Sequence, residues 1–322
     1  MSSLVNIVIL NWNGAEDTIE CLTSLRQMIG SRYRITVCDN DSSDNSLARI
    51  ALWADQHNLS HELVRPGAQV SAPFSDLTMI PNGANLGFAG GNNTGISFAL
   101  SQSDVTHVWL LNNDTVVAPD ALATLVRRCE ADTSIGICGS LLKFYDDRSV
   151  IQAVGGCSFN TVTGIASQTL GRYLPDSTIL DRSHFESEMD YVCGASMMVT
   201  RTFLEEVGLM EEGYFLYYEE IDWAMRARGK FKLAIATDSV VYHKEGRSIG
   251  SASMNTAASP RSEFYMTRSK LRFMAKHSAK YLPVSFVLTC LQVANRIRRR
   301  QWQAGIAMFK AAIGLPMLNT VP

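Results

Sequence analysis

The sequence predicts an α/β fold, a mostly parallel sheet flanked by helices and followed by a C-terminal helical extension. Three observations predict it. Short β-branched apolar runs alternate with segments of helical period through the first half of the chain. Three of those runs end in side-chain oxygens and amides, at the edge where open α/β sheets hold their ligands. From Glu263 onward the pattern is helical and richer in base. The 322 residues are 46% hydrophobic, enough to bury one large core or two small ones. A charged fraction of 19% and a formal net charge of -2 argue against a chain built for nucleic acid or a strongly acidic partner.

Taken in order, Val5 to Leu10 is a buried strand bounded by polar residues, and Ile19, Leu22 and Leu25 follow at helical spacing. "YRITVC" is a second strand that ends at Asp39. Ser42 and Ser43 are placed to cap the next helix, with Asp44 near its positive end. "HELV" and "LTMI" are weaker strands, and "GNNTGISFALSQ" reads as a helix after a Gly-rich loop. "HVWLL" is a strand, and "PDALATLVRRCE" opens a helix with Pro119 in its first turn. Residues 155–188 are polar and aperiodic, read as loop with one hairpin. "RSIGSASMNTAASPRSE" is small and polar, read as a mobile segment. The expected division is a domain over 1–262 and a helical region over 263–322.

Several stretches carry chemistry. "LLNNDTVV" puts Asn112, Asn113 and Asp114 at a strand end. A carboxylate there beside amides suits a hard divalent cation, though Asn and Asp are also plain turn residues. Asn11 after the first strand and Asp39-Asn40-Asp41 after the second repeat the pattern. In "YFLYYEEIDWAMRARG", Glu219, Glu220 and Asp222 crowd a helix start. Acidic residues belong there for electrostatic reasons, and Asp222 can pair with Arg226 one turn on. Four preceding aromatics would also desolvate a carboxylate and raise its pKa, which suits a general base. His243 ends the run "SVVYH", a position that is structural unless a carboxylate converges on it. Gly87, Gly90, Gly91 and Gly95 permit close backbone approach to a ligand, but no G-x-G-x-x-G follows the first strand.

The blocks "VNIVILNWNGAEDTIECLTSL", "VCDNDSSDNS", "NGANLGFAGGNNTGI", "VWLLNNDTVV", "VCGASMMVTR", "YFLYYEEIDWAMR" and "VVYHKEG" resemble, in this order, the family 2 glycosyltransferases, closest to the rhamnosyltransferase-like branch. The match spans about three quarters of the chain. The resemblance implies a GT-A fold, a nucleotide-sugar donor (dTDP-L-rhamnose first, a UDP-hexose as the alternative), Mg²⁺ or Mn²⁺, and inversion at the anomeric carbon. It implies a glycan or lipid-linked glycan acceptor in bacterial cell-surface polysaccharide synthesis. Carried over by position, Asn11, Asp39 and Asn40 lie at the nucleotide, and Asn85 and Gly87 at the ribose and sugar. Asn112, Asn113 and Asp114 occupy the D-x-D place. Asp114 and His243 hold the metal, Glu220 is the base, and Glu219 and Asp222 stand beside it. Two departures are Asn112 for the first Asp of D-x-D, and Glu where the base is commonly Asp.

Two other classes compete. A nucleotide-dependent oxidoreductase is disfavoured by the missing glycine fingerprint. A non-catalytic nucleotide-sugar-binding protein is favoured slightly by Asn112. The N-terminus lacks a secretory pattern, no run is long enough to span a bilayer, and seven scattered cysteines read as reduced thiols. The expectation is a cytoplasmic protein. Its segment from Tyr281 to Lys310, basic and amphipathic with Trp302, suits the inner face of the membrane, packing on its own domain, or a homodimer contact.

Overall fold

The computed structural model describes residues 3–68, 74–244 and 258–317. The first half builds β1 (Leu4–Asn11), α1 (Ala15–Leu25), β2 (Arg32–Asp39), α2 (Ser46–Gln56), β3 (His61–Leu63), β4 (Leu77–Pro81), α3 (Gly87–Leu100), β5 (His107–Asn112), β6 (Thr115–Val117) and α4 (Ala121–Glu130). The second half adds β7 (Ile135–Phe144), β8 (Ile151–Val154), β9 (Gly156–Asn160), β10 (Ile165–Thr169), α5 (Arg182–Glu188), β11 (Tyr191–Val192), β12 (Ser196–Thr200), α6 (Arg201–Val207), α7 (Glu219–Ala227) and β13 (Lys232–His243). Three helices close the chain: α8 (Pro260–His277), α9 (Leu282–Arg298) and α10 (Trp302–Ala312).

The main sheet runs β3-β4-β2-β1-β5-β12-β7-β13-β6, with β8 on β7. Its first five strands are parallel, and β12 enters antiparallel between β5 and β7. β1 is apolar on both faces because both are covered. On one face Leu22, Leu25, Ile50, Trp53, Leu122 and Leu125 of the helices pack against Ile7, Ile9 and Val37. On the other, Ile96, Phe98, Phe203 and Trp223 pack against Val8, Val108 and Leu110. Helix α3 sits close to the sheet because it presents glycines to it. A Cβ on Gly91 would meet Leu10 Cδ1 at 2.4 Å, and one on Gly95 would meet Val8 Cγ1 at 2.4 Å. These two glycines therefore serve helix–sheet packing and not a ligand.

Several local expectations change. Helix α3 begins at Gly87, inside the stretch read as loop. Pro119 precedes α4, whose N-cap is Asp120, because the turn after β6 takes up that residue. Ser42 and Ser43 do not cap α2. Ser42 bonds Asp39, Ser43 bonds Asn13, and Asp44 instead accepts from the Ser46 backbone N–H. The polar stretch holds the hairpin β9–β10 and also α5, capped by Asp181. Helix α8 runs across the expected division at 262/263. Tyr214, Tyr218 and Ile221 share a buried cluster with its Phe273 and Met274, which ties it to the α/β layer. Most of the segment read as mobile, residues 247–257, lies outside the described residues.

Candidate active site

The register of the sheet assembles the site. β1 and β2 pair in parallel with Asn11 opposite Asp39, and β1 and β5 pair with Leu10 opposite Asn112, so three polar strand ends meet at one edge. β6 returns antiparallel to β13 with Thr115 opposite His243. That pairing sets the carboxylate of Asp114 beside the imidazole of a residue in the last strand, and the Lys244 N–H donates to the Asp114 carbonyl at 3.0 Å. Lys244 Nζ reaches Asp17 and Glu20 at 2.5 Å each, pinning this end of β13 to α1.

Over this edge lies a cavity of about 510 Å³, lined among others by Asn40, Asn85, Gly87, Asn112, Asn113, Asp114, Glu219, Glu220 and His243. This is the size of pocket that takes a ligand the size of a nucleotide. Gly87 holds a φ of +73° and packs so tightly that a Cβ would fall 2.1 Å from the Phe215 carbonyl oxygen. The contact fixes α3 against the aromatic loop that carries the acidic pair. Asn40 braces the same corner, donating to the Gly87 carbonyl at 2.9 Å and accepting from Asn82 Nδ2 at 2.8 Å. Asn113 donates to Thr18 Oγ1 at 3.1 Å.

Three expected site residues do not line the cavity. Asn11 and Asp39 are buried behind its wall. Asn11 Nδ2 donates to Asp39 Oδ1 at 2.7 Å, and Ser42 fills the rest of the Asp39 carboxylate through its N–H and hydroxyl. Their polar atoms are satisfied within the protein. Asp222 points the other way from Glu219 and Glu220, into the seam between α7 and α8. It is fully buried and bonded to Tyr214, Arg226, Lys276 and His277. Burial alone would raise its pKa, but these donors outweigh burial and hold it below the usual carboxylate range. Asp222 thus ties α7 to α8.

The acidic pair behaves oppositely. Burial pushes the Glu220 carboxyl up to about 7, with no cationic side chain to offset it. Glu219 is raised as well, by burial first and by the neighbouring Glu220 charge second, and its Oε2 is buried without a hydrogen-bond partner. Gly194, in the link from β11 to β12, floors Glu220. A Cβ there would stand 2.2 Å from Oε1.

Asp114 Oδ1 is buried and lies 3.3 Å from His243 Nε2, an ion-pair contact without good hydrogen-bond geometry, and Asp114 lines the cavity. His243 Nδ1 is held by Gln152 Oε1 at 3.0 Å, which leaves Nε2 turned toward Asp114. A buried carboxylate oxygen beside an oriented imidazole fits a divalent cation. Among the described residues no group of three or more His, Cys, Asp or Glu comes together, so the remaining ligands of such a cation would be phosphate oxygens and water. One wall residue escaped sequence reasoning. Arg261, at the start of α8, sits with its guanidinium 4.7 Å from the Trp12 ring centroid; Phe215 and Tyr217, two of the four aromatics expected beside the acidic pair, also line the wall. Trp12 between two asparagines was the available signal for that wall, whereas Arg261 sits in a stretch whose composition pointed elsewhere.

The family profile described as glycosyl transferase family 2 matches residues 6–208. The chain belongs to this family. It is 25% identical over 224 residues to the low-salt glycan biosynthesis hexosyltransferase Agl10 of Haloferax volcanii; the match takes in 70% of this chain and 61% of that protein. Its fold is similar to the mannosyltransferase PcManGT of Pyrobaculum calidifontis, solved with GDP-Man and Mn²⁺, at a TM-score of 0.54 and 15% identity over 96% of this chain and 86% of that one. It is also similar to GalNAc-T7 solved with UDP, GalNAc and Mn²⁺, at a TM-score of 0.58 and 15% identity over 83% of this chain and 47% of that one. In this chain the cavity sits on the polar strand ends, α8 contributes Arg261 to its wall, and α9 and α10 pack on α8.

Proposed function

We propose that the protein is an inverting, metal-dependent glycosyltransferase that moves a sugar from a nucleoside diphosphate donor to a hydroxyl of a glycan or lipid-linked glycan. One observation carries this reading. Asp114, Glu220 and His243 are far apart in the chain and line the same cavity, which brings a carboxyl raised to about 7 together with a buried carboxylate paired to an oriented imidazole.

The residues divide the work. Asp114 and His243 would hold the cation, and a bound Mg²⁺ or Mn²⁺ supplies the positive charge that makes a nucleoside diphosphate a competent leaving group. Asn112 and Asn113 border this end of the cavity with neutral amides. With only two protein ligands, cation affinity rests largely on the diphosphate. Glu220, ionised, accepts the proton of the acceptor hydroxyl as that oxygen attacks the anomeric carbon from the face opposite the leaving diphosphate. The bond to the diphosphate oxygen breaks with its electron pair, and the configuration inverts. Glu219 stands beside it, its own carboxyl raised by burial and by the Glu220 charge.

The rhamnosyltransferase-like sequence blocks favour dTDP-L-rhamnose as donor; the hexosyltransferase relative is equally consistent with another hexose, with a UDP-hexose as the alternative donor. The test is a panel of dTDP-, UDP- and GDP-sugars with Mn²⁺ or Mg²⁺, read as thermal stabilisation and slow nucleoside diphosphate release. One donor is expected to stabilise the protein and to require the metal. No stabilisation and no release across the panel refutes the reading, and metal-independent binding removes Asp114 and His243 from their roles.

A further inference from the structure

We propose that α9 and α10 dock the protein on an anionic lipid surface, lying in the plane of the interface. Both helices turn apolar side chains outward. The outward positions of α10 are Trp302, Ile306, Phe309 and Ile313, spaced i, i+4, i+7, i+11 on one stripe and exposed by 57, 50, 53 and 48%. Its inward positions are small or flexible, Gly305, Ala307, Met308 and Ala311. α9 shows a partial inversion: Val284, Val287 and Leu291 face out, while its buried positions are Ser285, Thr289 and Val293. A water-facing helix carries the opposite order. Large apolar stripes exposed on two helices packed together mark a surface that meets something other than water.

Charge identifies the occupant. After Glu263 the remaining 59 residues hold ten Lys and Arg and no Asp or Glu, leaving 19 basic against 31 acidic residues in the rest of the chain. Arg298, Arg299 and Arg300 are exposed where α9 turns into α10, so cations border the apolar stripe. An apolar face edged with Arg and an interfacial Trp matches acyl chains below anionic headgroups. A second copy of this chain would bring a like-charged tail to the contact. Among the described residues no helix is long and apolar enough to cross a membrane, which leaves the in-plane arrangement. α8 packs on α10 and places Arg261 in the cavity wall, so the docked face and the cavity share one helix.

The test is flotation of the full chain with phosphatidylcholine vesicles, with and without phosphatidylglycerol. Wild type is expected to float with the anionic vesicles, about tenfold less with the neutral ones, and to be released by high salt. The variants Trp302→Ser/Phe309→Ser and Arg298→Glu/Arg300→Glu, all at exposed positions, are each expected to cut the bound fraction about tenfold or more while keeping the wild-type circular dichroism and melting temperature. Absence of wild-type flotation overturns the proposal, as does flotation that neither variant changes. A lipid-free dimer that Trp302→Ser/Phe309→Ser dissociates, with no flotation, assigns the face to a second copy instead.

Discussion

Replacing Glu220 with Gln is expected to cripple transfer and to stabilise the fold in the same molecule, the stabilisation growing as pH rises from about 4.5 to about 7. The amide keeps the shape of the side chain and removes its charge. In the folded protein burial lifts the carboxyl from 4.5 to about 7. Between these values the folded chain holds a proton that the unfolded chain has released, so stability falls as pH rises through this window and is flat above it. The difference of about 2.5 units corresponds to a ceiling of about 3 kcal/mol at pH 8, and water at the cavity mouth reduces this to about 2. Gln carries no such cost, so denaturant unfolding should show Glu220→Gln more stable than wild type by about 2 kcal/mol at pH 8 and by under about 1 at pH 5. Loss of the general base should lower kcat about 10²–10⁴-fold with donor binding nearly intact. Equal stability differences at pH 5 and pH 8 would refute the desolvated carboxyl. A variant keeping more than about a tenth of the wild-type rate would remove Glu220 from proton transfer.

The wild-type kcat/KM should rise with pH up to about 7 and then level off, since only ionised Glu220 accepts a proton; a profile flat from pH 5 to 8 contradicts this. Gly194→Ala should push the Glu220 carboxyl aside, lowering kcat by about tenfold or more while calorimetry shows unchanged donor affinity. Asp114→Asn should weaken nucleoside diphosphate binding in Mn²⁺ by about tenfold or more and leave metal-free binding unaltered, measured by titration calorimetry. Asp222→Asn should cost about 2 kcal/mol by denaturant unfolding, because it removes the buried anion that Arg226, Lys276 and His277 share. The rate per folded molecule should stay near wild type, and a specific loss of rate would return Asp222 to the chemistry.

The parallel half of the sheet was legible because β1, β2 and β5 are bounded apolar runs, and their polar ends announced the ligand edge. The site depended on information the local pattern lacks. Whether Asn11 and Asp39 face a ligand or each other is decided by the parallel register of two strands, and that register satisfies them internally. Asp222 looked equivalent to Glu219 and Glu220 in the sequence. It differs because Lys276 and His277 arrive from α8, more than 50 residues later, and helical geometry turns it away from its neighbours. Gly91 and Gly95 looked like ligand-facing glycines and instead meet β1, a distinction set by the packing distance between two layers.

The pairing of β6 with β13 has a consequence for how the protein comes to exist. Asp114 and His243 are 129 residues apart in the chain, so the imidazole side of the cavity is missing until β13 has been synthesised and paired with β6. At translation speeds of about 5–20 residues per second, the nascent chain spends roughly 6–26 seconds with its amino-terminal strands available and its nucleotide edge half built. Donor affinity is then a maturation signal. It should appear abruptly when ribosome-stalled fragments pass the end of β13, and not grow in proportion to chain length.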